Sequence, residues 1–166
     1  MNGMKKGANI LLLCTLLWCA AIIGAPLMAV SGGFFEFLSV FLYKLFGVVC
    51  HQFDSRTFHL HANPFGVCIR CTAIYFGFLF GILAMRFSKN TVFQNYYVRI
   101  LLLVTSLPMV IDGALPLTGW YEPTTISRLL TGAIFGFGIS LILYNSLLEI
   151  ITSLINSKVP KYESTT

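Results

Sequence analysis

Four long apolar runs, separated by short polar stretches, organise the chain. Residues 8–30 (ANILLLCTLLWCAAIIGAPLMAV) carry no charge, and about 20 apolar residues cross a ~30 Å hydrocarbon layer as a helix. A cleaved leader would have an apolar stretch of only ~7–15 residues and a small-residue cleavage site. No clean A-x-A follows this run, which favours an anchor. Further spans are expected over about 64–86, 98–118 and 126–154. Asn63-Pro64 is expected to open the second, because Asn caps helices well and Pro suits the first helical position.

Between the first two spans lies FFEFLSVFLYKLFGVV, residues 34–49. As a helix it reaches only about 24 Å. Glu36, Ser39 and Tyr43 recur at i, i+3 and i+7, with Lys44 beside that polar stripe. An interfacial helix is the first reading and a fifth span the second. The fold class expected is therefore an all-α integral membrane protein: a four-span helical bundle plus one interfacial helix, a single domain over 1–166.

Composition agrees. The chain is 57% hydrophobic and 10% charged, against roughly 25% charged in soluble domains. Its net charge of +5 is spread along the sequence, which reads as a topology signal and not as a nucleic-acid footprint. Lys and Arg near span ends favour the cytoplasm. Four spans with both termini cytoplasmic, in the plasma membrane, place Lys5, Lys6, Arg86, Lys89, Arg99, Lys158 and Lys161 together on the inner side. The loop 50–63 then lies outside.

Small residues mark where helices approach each other in lipid. Gly77 and Gly81 form one such ridge, and Gly132, Gly136 and Ser140 another. They suit packing within the bundle, or contact with a second copy or another membrane protein. "AIYFGF" (73–78) also echoes "AIFGF" (133–137), a hint of duplication. In span three, Pro108 implies a tolerated kink. Asp112 is a costly intramembrane carboxylate that calls for a partner, and Arg70 and Arg128 begin spans two and four at the same side.

The chemistry gathers in VCHQFDSRTFHLHANPFGVCIRC, residues 49–71, which holds three of the five cysteines and all three histidines. Cys68 and Cys71 form a C-x-x-C on one helix face, either half a metal site or a redox pair. A helix N-terminus and Arg70 between them favour thiolate. Cys50 makes a third thiol, and His51, His59 or His61 would complete the Cys₃His set that suits zinc; copper(I) or iron would also accept thiolates. A Cys68–Cys71 or Cys50–Cys68 disulfide bracing the loop is the structural alternative. Cys14 and Cys19 lie mid-span and read as packing residues. Asp54 and Arg56 read as a local charge pair.

Cys50-His51-Gln52, Arg56, Val67-Cys68, Arg70-Cys71-Thr72, Ile74-Tyr75 and Gly77, followed by Asp112-Gly113 and Arg128-Leu129-Leu130-Thr131-Gly132, resemble a family of small prokaryotic membrane proteins. It is known as domain of unknown function number two thousand and eighty-five, and the likeness covers roughly residues 36–145. Ile69 departs from the small residue expected there. The resemblance implies a multi-pass membrane protein, assigns no activity, and groups Cys50, His51, Cys68, Arg70, Cys71, Asp112 and Arg128 as one unit.

Three functional readings follow. The first is metal binding by Cys50, Cys68, Cys71 and a histidine, with Arg70, Asp112 and Arg128 as a surrounding charge network. The second is a membrane thiol–disulfide or quinone-linked oxidoreductase, by analogy with other four-helix membrane thiol enzymes. The loop Thr118–Thr125 lacks the further cysteine those enzymes use. The third is a lipid- or anion-handling protein in which the arginines hold a phosphate. Nucleotide-loop, metalloprotease and serine-nucleophile motifs are absent from the sequence, which argues against those common chemistries.

Overall fold

A computed structural model of the chain describes residues 2–87, 95–119 and 121–157. Lys89, Lys158 and Lys161, and the side chain of Arg99, lie outside the described residues. Five helices carry the fold: α1 Asn2–Ser31, α2 Gly33–Gly47, α3 Ile69–Phe87, α4 Asn95–Ala114 and α5 Thr125–Ser157. Four of them hold segments long and apolar enough to cross a membrane: Met4–Ser31, Ile69–Phe87, Ile100–Thr118 and Thr125–Ile155. The 15-residue α2 reaches about 22 Å and is too short to join them.

α3 and α5 form the centre, and they run parallel. Their small-residue ridges face each other: a Cβ added at Gly77 would stand 2.3 Å from the Ala133 carbonyl oxygen, and one at Gly136 would stand 2.0 Å from that of Ile74. A Cβ at Gly132 would stand 2.7 Å from the Arg70 carbonyl oxygen, and one at Gly81 would run into the Ser140 side chain. Backbone-to-backbone approach at these glycines gains dispersion contact that lipid tails cannot outcompete. The two ridges are thus occupied within one chain. The echoed segments 73–78 and 133–137 sit side by side along this seam. Gly136→Leu is expected to push α5 off α3 and cost on the order of 2–3 kcal/mol by overpacking. Thermal unfolding in detergent, with Gly24→Ala as the comparison where an added Cβ meets only Met28 Cε at 3.7 Å, checks this; an unchanged midpoint for Gly136→Leu would contradict the seam.

α1 runs antiparallel to α3. Ala8 and Leu11 join Ile82, Met85, Tyr144 and Leu148 in one buried cluster, and the Cys19 thiol donates to the Tyr75 carbonyl at 3.6 Å. α4 flanks α5, Thr105 lying against Gly138.

After α1 the chain turns at Gly32 and Gly33, both at positive φ (70° and 59°), a conformation that glycine adopts without steric cost. α2 therefore folds back along α1 as a hairpin. The polar stripe on α2 finds partners on this inner side: Ser39 Oγ donates to the Ala25 carbonyl at 2.7 Å, and Tyr43 donates its hydroxyl hydrogen to the Pro64 carbonyl. The opposite side exposes Phe34, Phe37 and Phe41.

The expected helix start at Asn63-Pro64 is corrected. These residues form a strand, β2, paired antiparallel with β1, His59–Leu60. The two-residue turn between them places His61 and Ala62 at positive φ (51° and 65°), the primed geometry that normally calls for Asn-Gly. α3 starts five residues later, with Thr72 N–H donating to the Cys68 carbonyl. Tertiary bonds outweigh the local capping signal: Phe65 N–H donates to the Phe58 carbonyl at 2.7 Å and Gly66 N–H to the Ile22 carbonyl at 3.1 Å. The Ile22 carbonyl is free because Pro26, four residues on inside α1, has no N–H to offer it.

Candidate functional site

The site forms where the loop from α2 meets the first turn of α3. Cys50 leaves α2 with its N–H bonded to the Phe46 carbonyl at 2.9 Å, while Cys68 precedes α3 and Cys71 sits in its first turn. The Sγ atoms of Cys50, Cys68 and Cys71 all lie within 4.8 Å of one another, and each cysteine is a free thiol. Sulfurs around a tetrahedral zinc stand about 3.8 Å apart, given Zn–S near 2.3 Å. Closing the trio onto an ion therefore takes side-chain movements of an ångström or less.

Two features hold the thiols together. Gln52, at φ 49°, spans the gap between α2 and the strand exit: its Nε2 donates to the Tyr43 carbonyl at 2.9 Å and to the Gly66 carbonyl at 2.7 Å. Gly66 is close-packed, since a Cβ there would fall 2.6 Å from the Phe46 ring. Beneath the thiols, Ile22, Phe46, Cys50 and Val67 form a buried apolar floor, with Trp18 edge-on to Phe46 at 5.2 Å. Sequence reasoning assigned no role to Gln52 or Pro26. A lone proline inside an apolar span was the available signal, because it frees a carbonyl that something must satisfy.

Hydrogen bonding around the trio favours a thiolate at Cys68. Cys50 Sγ accepts backbone N–H bonds from Gln52 at 3.5 Å and Cys68 at 3.3 Å. The Cys68 thiol is drawn well below the ordinary thiol range, chiefly by a hydrogen bond from the Cys71 thiol and against the opposing effect of burial. Hydrogen bonds to the charged form produce that direction.

The histidines separate. His51 is exposed, lines the cavity beside the thiols and stacks on Phe53 at 5.9 Å. His59 Nε2 is held 2.8 Å from Asp54 Oδ1. His61 is exposed on the hairpin turn. Among the described residues no imidazole joins the three-sulfur group. Asp54 is thus the partner of His59 and not of Arg56, whose guanidinium instead lies over the Phe53 ring at 5.7 Å.

Arg70 and Asp112 form a salt bridge. Asp112 is 5% exposed, Arg70 also donates to its backbone carbonyl at 3.2 Å, and Tyr121 approaches the carboxylate at 3.4 Å. The choice between Arg70 and Arg128 is thereby made. Arg128 does not join the pair; with Arg70, Asp112, the thiols and His51 it lines one cavity of about 440 Å³.

Comparison with known proteins places this arrangement in context. A family described as predicted membrane protein (DUF2085) matches residues 50–142, a stretch that contains the three cysteines, Arg70, Asp112 and Arg128. An uncharacterised protein of Methanocaldococcus jannaschii is 34% identical over 137 residues, 81% of this chain and 88% of its own length. An uncharacterised protein of Methanothermobacter thermautotrophicus is 33% identical over 102 residues, 58% of this chain and 86% of its own. No solved structure matches the chain.

Proposed function

The chain belongs to this family of predicted membrane proteins, and from that premise we propose that it is a metal-binding membrane protein. Cys50, Cys68 and Cys71 supply three thiolate ligands, and the adjoining cavity supplies the fourth, open position. The observation that carries this reading is the convergence of the three sulfurs within 4.8 Å from two segments 18 residues apart. Three thiolates suit zinc and softer ions such as copper(I), with iron next. His51, the one histidine on the cavity wall among the described residues, is the closest imidazole in sequence for the fourth place.

The proposed orientation puts both termini in the cytoplasm and the thiols at the outer face of the plasma membrane. Its support is the basic residues at the other end of the bundle, Lys5, Lys6 and Arg86, which follow the cytoplasmic preference of Lys and Arg. Purified protein is expected to carry about one equivalent of zinc, copper or iron by elemental analysis. After chelation, a membrane-impermeant thiol reagent is expected to label Cys50 in intact cells. Metal-free protein from a metal-replete culture sinks the first statement; labelling only after permeabilisation sinks the second.

A thiol–disulfide or quinone-linked oxidoreductase is the second reading, favoured by the Cys68 and Cys71 sulfurs lying within 4.8 Å of each other. Metal-free protein whose thiols oxidise in step with quinone reduction would transfer the conclusion to it.

A further inference from the structure

We infer that the cavity beside the three thiols is a binding site for a phosphate group, contributed by a phosphomonoester lipid headgroup or by free phosphate. Arg56, Arg70 and Arg128 line it, and Asp112 is the single carboxylate on its wall. Asp112 is spent on Arg70. Arg56 and Arg128 form no ion pair among the described residues. Glu122, in the neighbouring cleft that shares both arginines, is exposed and comes within 4.0 Å of neither. The wall thus carries two more positive than negative charges when the thiols are neutral. It stays positive by one when three thiolates hold a divalent ion, so zinc at the thiols leaves the wall cationic.

Helix ends add to the attraction. Cys68, Arg70 and Cys71 stand at the N-terminus of α3, and Pro123 and Arg128 at that of α5, where Thr124 already caps the chain through its Oγ1 to Ser127 N–H at 3.1 Å. Positive helix ends favour anions. The C-terminal end of α4 opposes them, and the Arg70 bond to the Asp112 carbonyl offsets that opposition. The guanidinium groups of Arg56 and Arg128, outside any ion pair among the described residues, are suited to bidentate phosphate contacts.

Size and rim agree with the ligand. About 440 Å³ lies within the roughly 300–1,000 Å³ of small-molecule sites. Exposed Val49 (50%), Phe53 (57%) and Leu117 (88%) also line the opening, giving an acyl chain an apolar exit next to the cationic interior.

The test uses the full chain in phosphatidylcholine nanodiscs with and without phosphatidic acid. Retained lipid is read by native mass spectrometry, and inorganic phosphate is titrated calorimetrically into the lipid-free-ligand sample. Selective retention of phosphatidic acid, or saturable phosphate binding, supports the inference, and which of the two occurs names the source. Arg128→Gln and Arg56→Gln are each expected to weaken the binding at least tenfold, with Arg128→Lys intermediate. Both probes failing, or both Gln variants binding like the parent, overturns it. Metal content measured on the same samples reports on the thiol site separately, so a metal-free protein that still binds phosphate counts against the thiol reading alone.

Discussion

Serine in place of Cys50, Cys68 or Cys71 is expected to reduce bound metal from about one equivalent per chain to a trace. Each change removes one of three soft ligands and substitutes a hydroxyl that stays protonated at neutral pH, so a zinc or copper(I) site loses both charge and softness. The loss should exceed the 10–100-fold in affinity that follows from removing groups that merely orient a ligand. Cys14→Ser, on the exposed side of α1, should leave metal content unchanged. Elemental analysis of the four variants, purified side by side, checks this. The three-thiol site is refuted if any one of the cavity cysteines proves dispensable while the protein stays folded. Metal release on lowering the pH should accompany the site, because thiolate ligands must give way to protons.

Asp112→Ala is expected to be the most destabilising single change near the site, by on the order of 3 kcal/mol. The mutation leaves the Arg70 guanidinium beside apolar helix surface with its charge uncompensated. The figure is set at the low end for a broken buried pair because Arg70 is 24% exposed while Asp112 is 5% exposed, so water in the cavity screens part of the loss. Asp112→Asn keeps a hydrogen-bond acceptor for Tyr121 but not the charge, and should fall between. Replacing both partners, Arg70→Met with Asp112→Leu, should recover much of the stability, since removing a buried pair outright costs less than orphaning one member. Thermal unfolding of the detergent-solubilised chains measures all three. Asp112→Ala as stable as the parent would mean that Arg70 finds another partner, and the account of the pair would be wrong.

The two predictions act on different links. The thiols are brought together by non-local backbone bonds, Gly66 to Ile22 and Gln52 to Tyr43 and Gly66. The ion pair joins α3 to α4 and so ties the cavity wall to the bundle. Metal content should report on the first, melting on the second, and phosphate binding on the cavity between them.

Some of this was legible in the linear pattern. Four spans, the short helix between the first two, and the two glycine ridges follow from residues 8–30, 34–49, 77–81 and 132–140 alone. In lipid a backbone must satisfy its own hydrogen bonds, so a long apolar run folds as a helix, and a glycine ridge marks a face where another helix approaches. The clustering of Cys50, Cys68 and Cys71 in one polar interruption also marked the site, though not its contents. The Asn63-Pro64 signal misled because capping preference is a local energy of about 1 kcal/mol, and the β1–β2 pairing, the Tyr43 bond and the capture of the Ile22 carbonyl together exceed it.

Periodicity and charge thus determined the membrane class, the number of crossings and the small-residue faces of α3 and α5. Only the tertiary structure decided which arginine Asp112 takes, that Asp54 holds His59, that α2 folds back on α1, and that the three sulfurs converge without an imidazole among them. The division has a physical cause. Helix formation and burial in a bilayer are set by neighbours along the chain, whereas a site is set by partners across it, and loop residues choose among those partners only once the helices have fixed the distances.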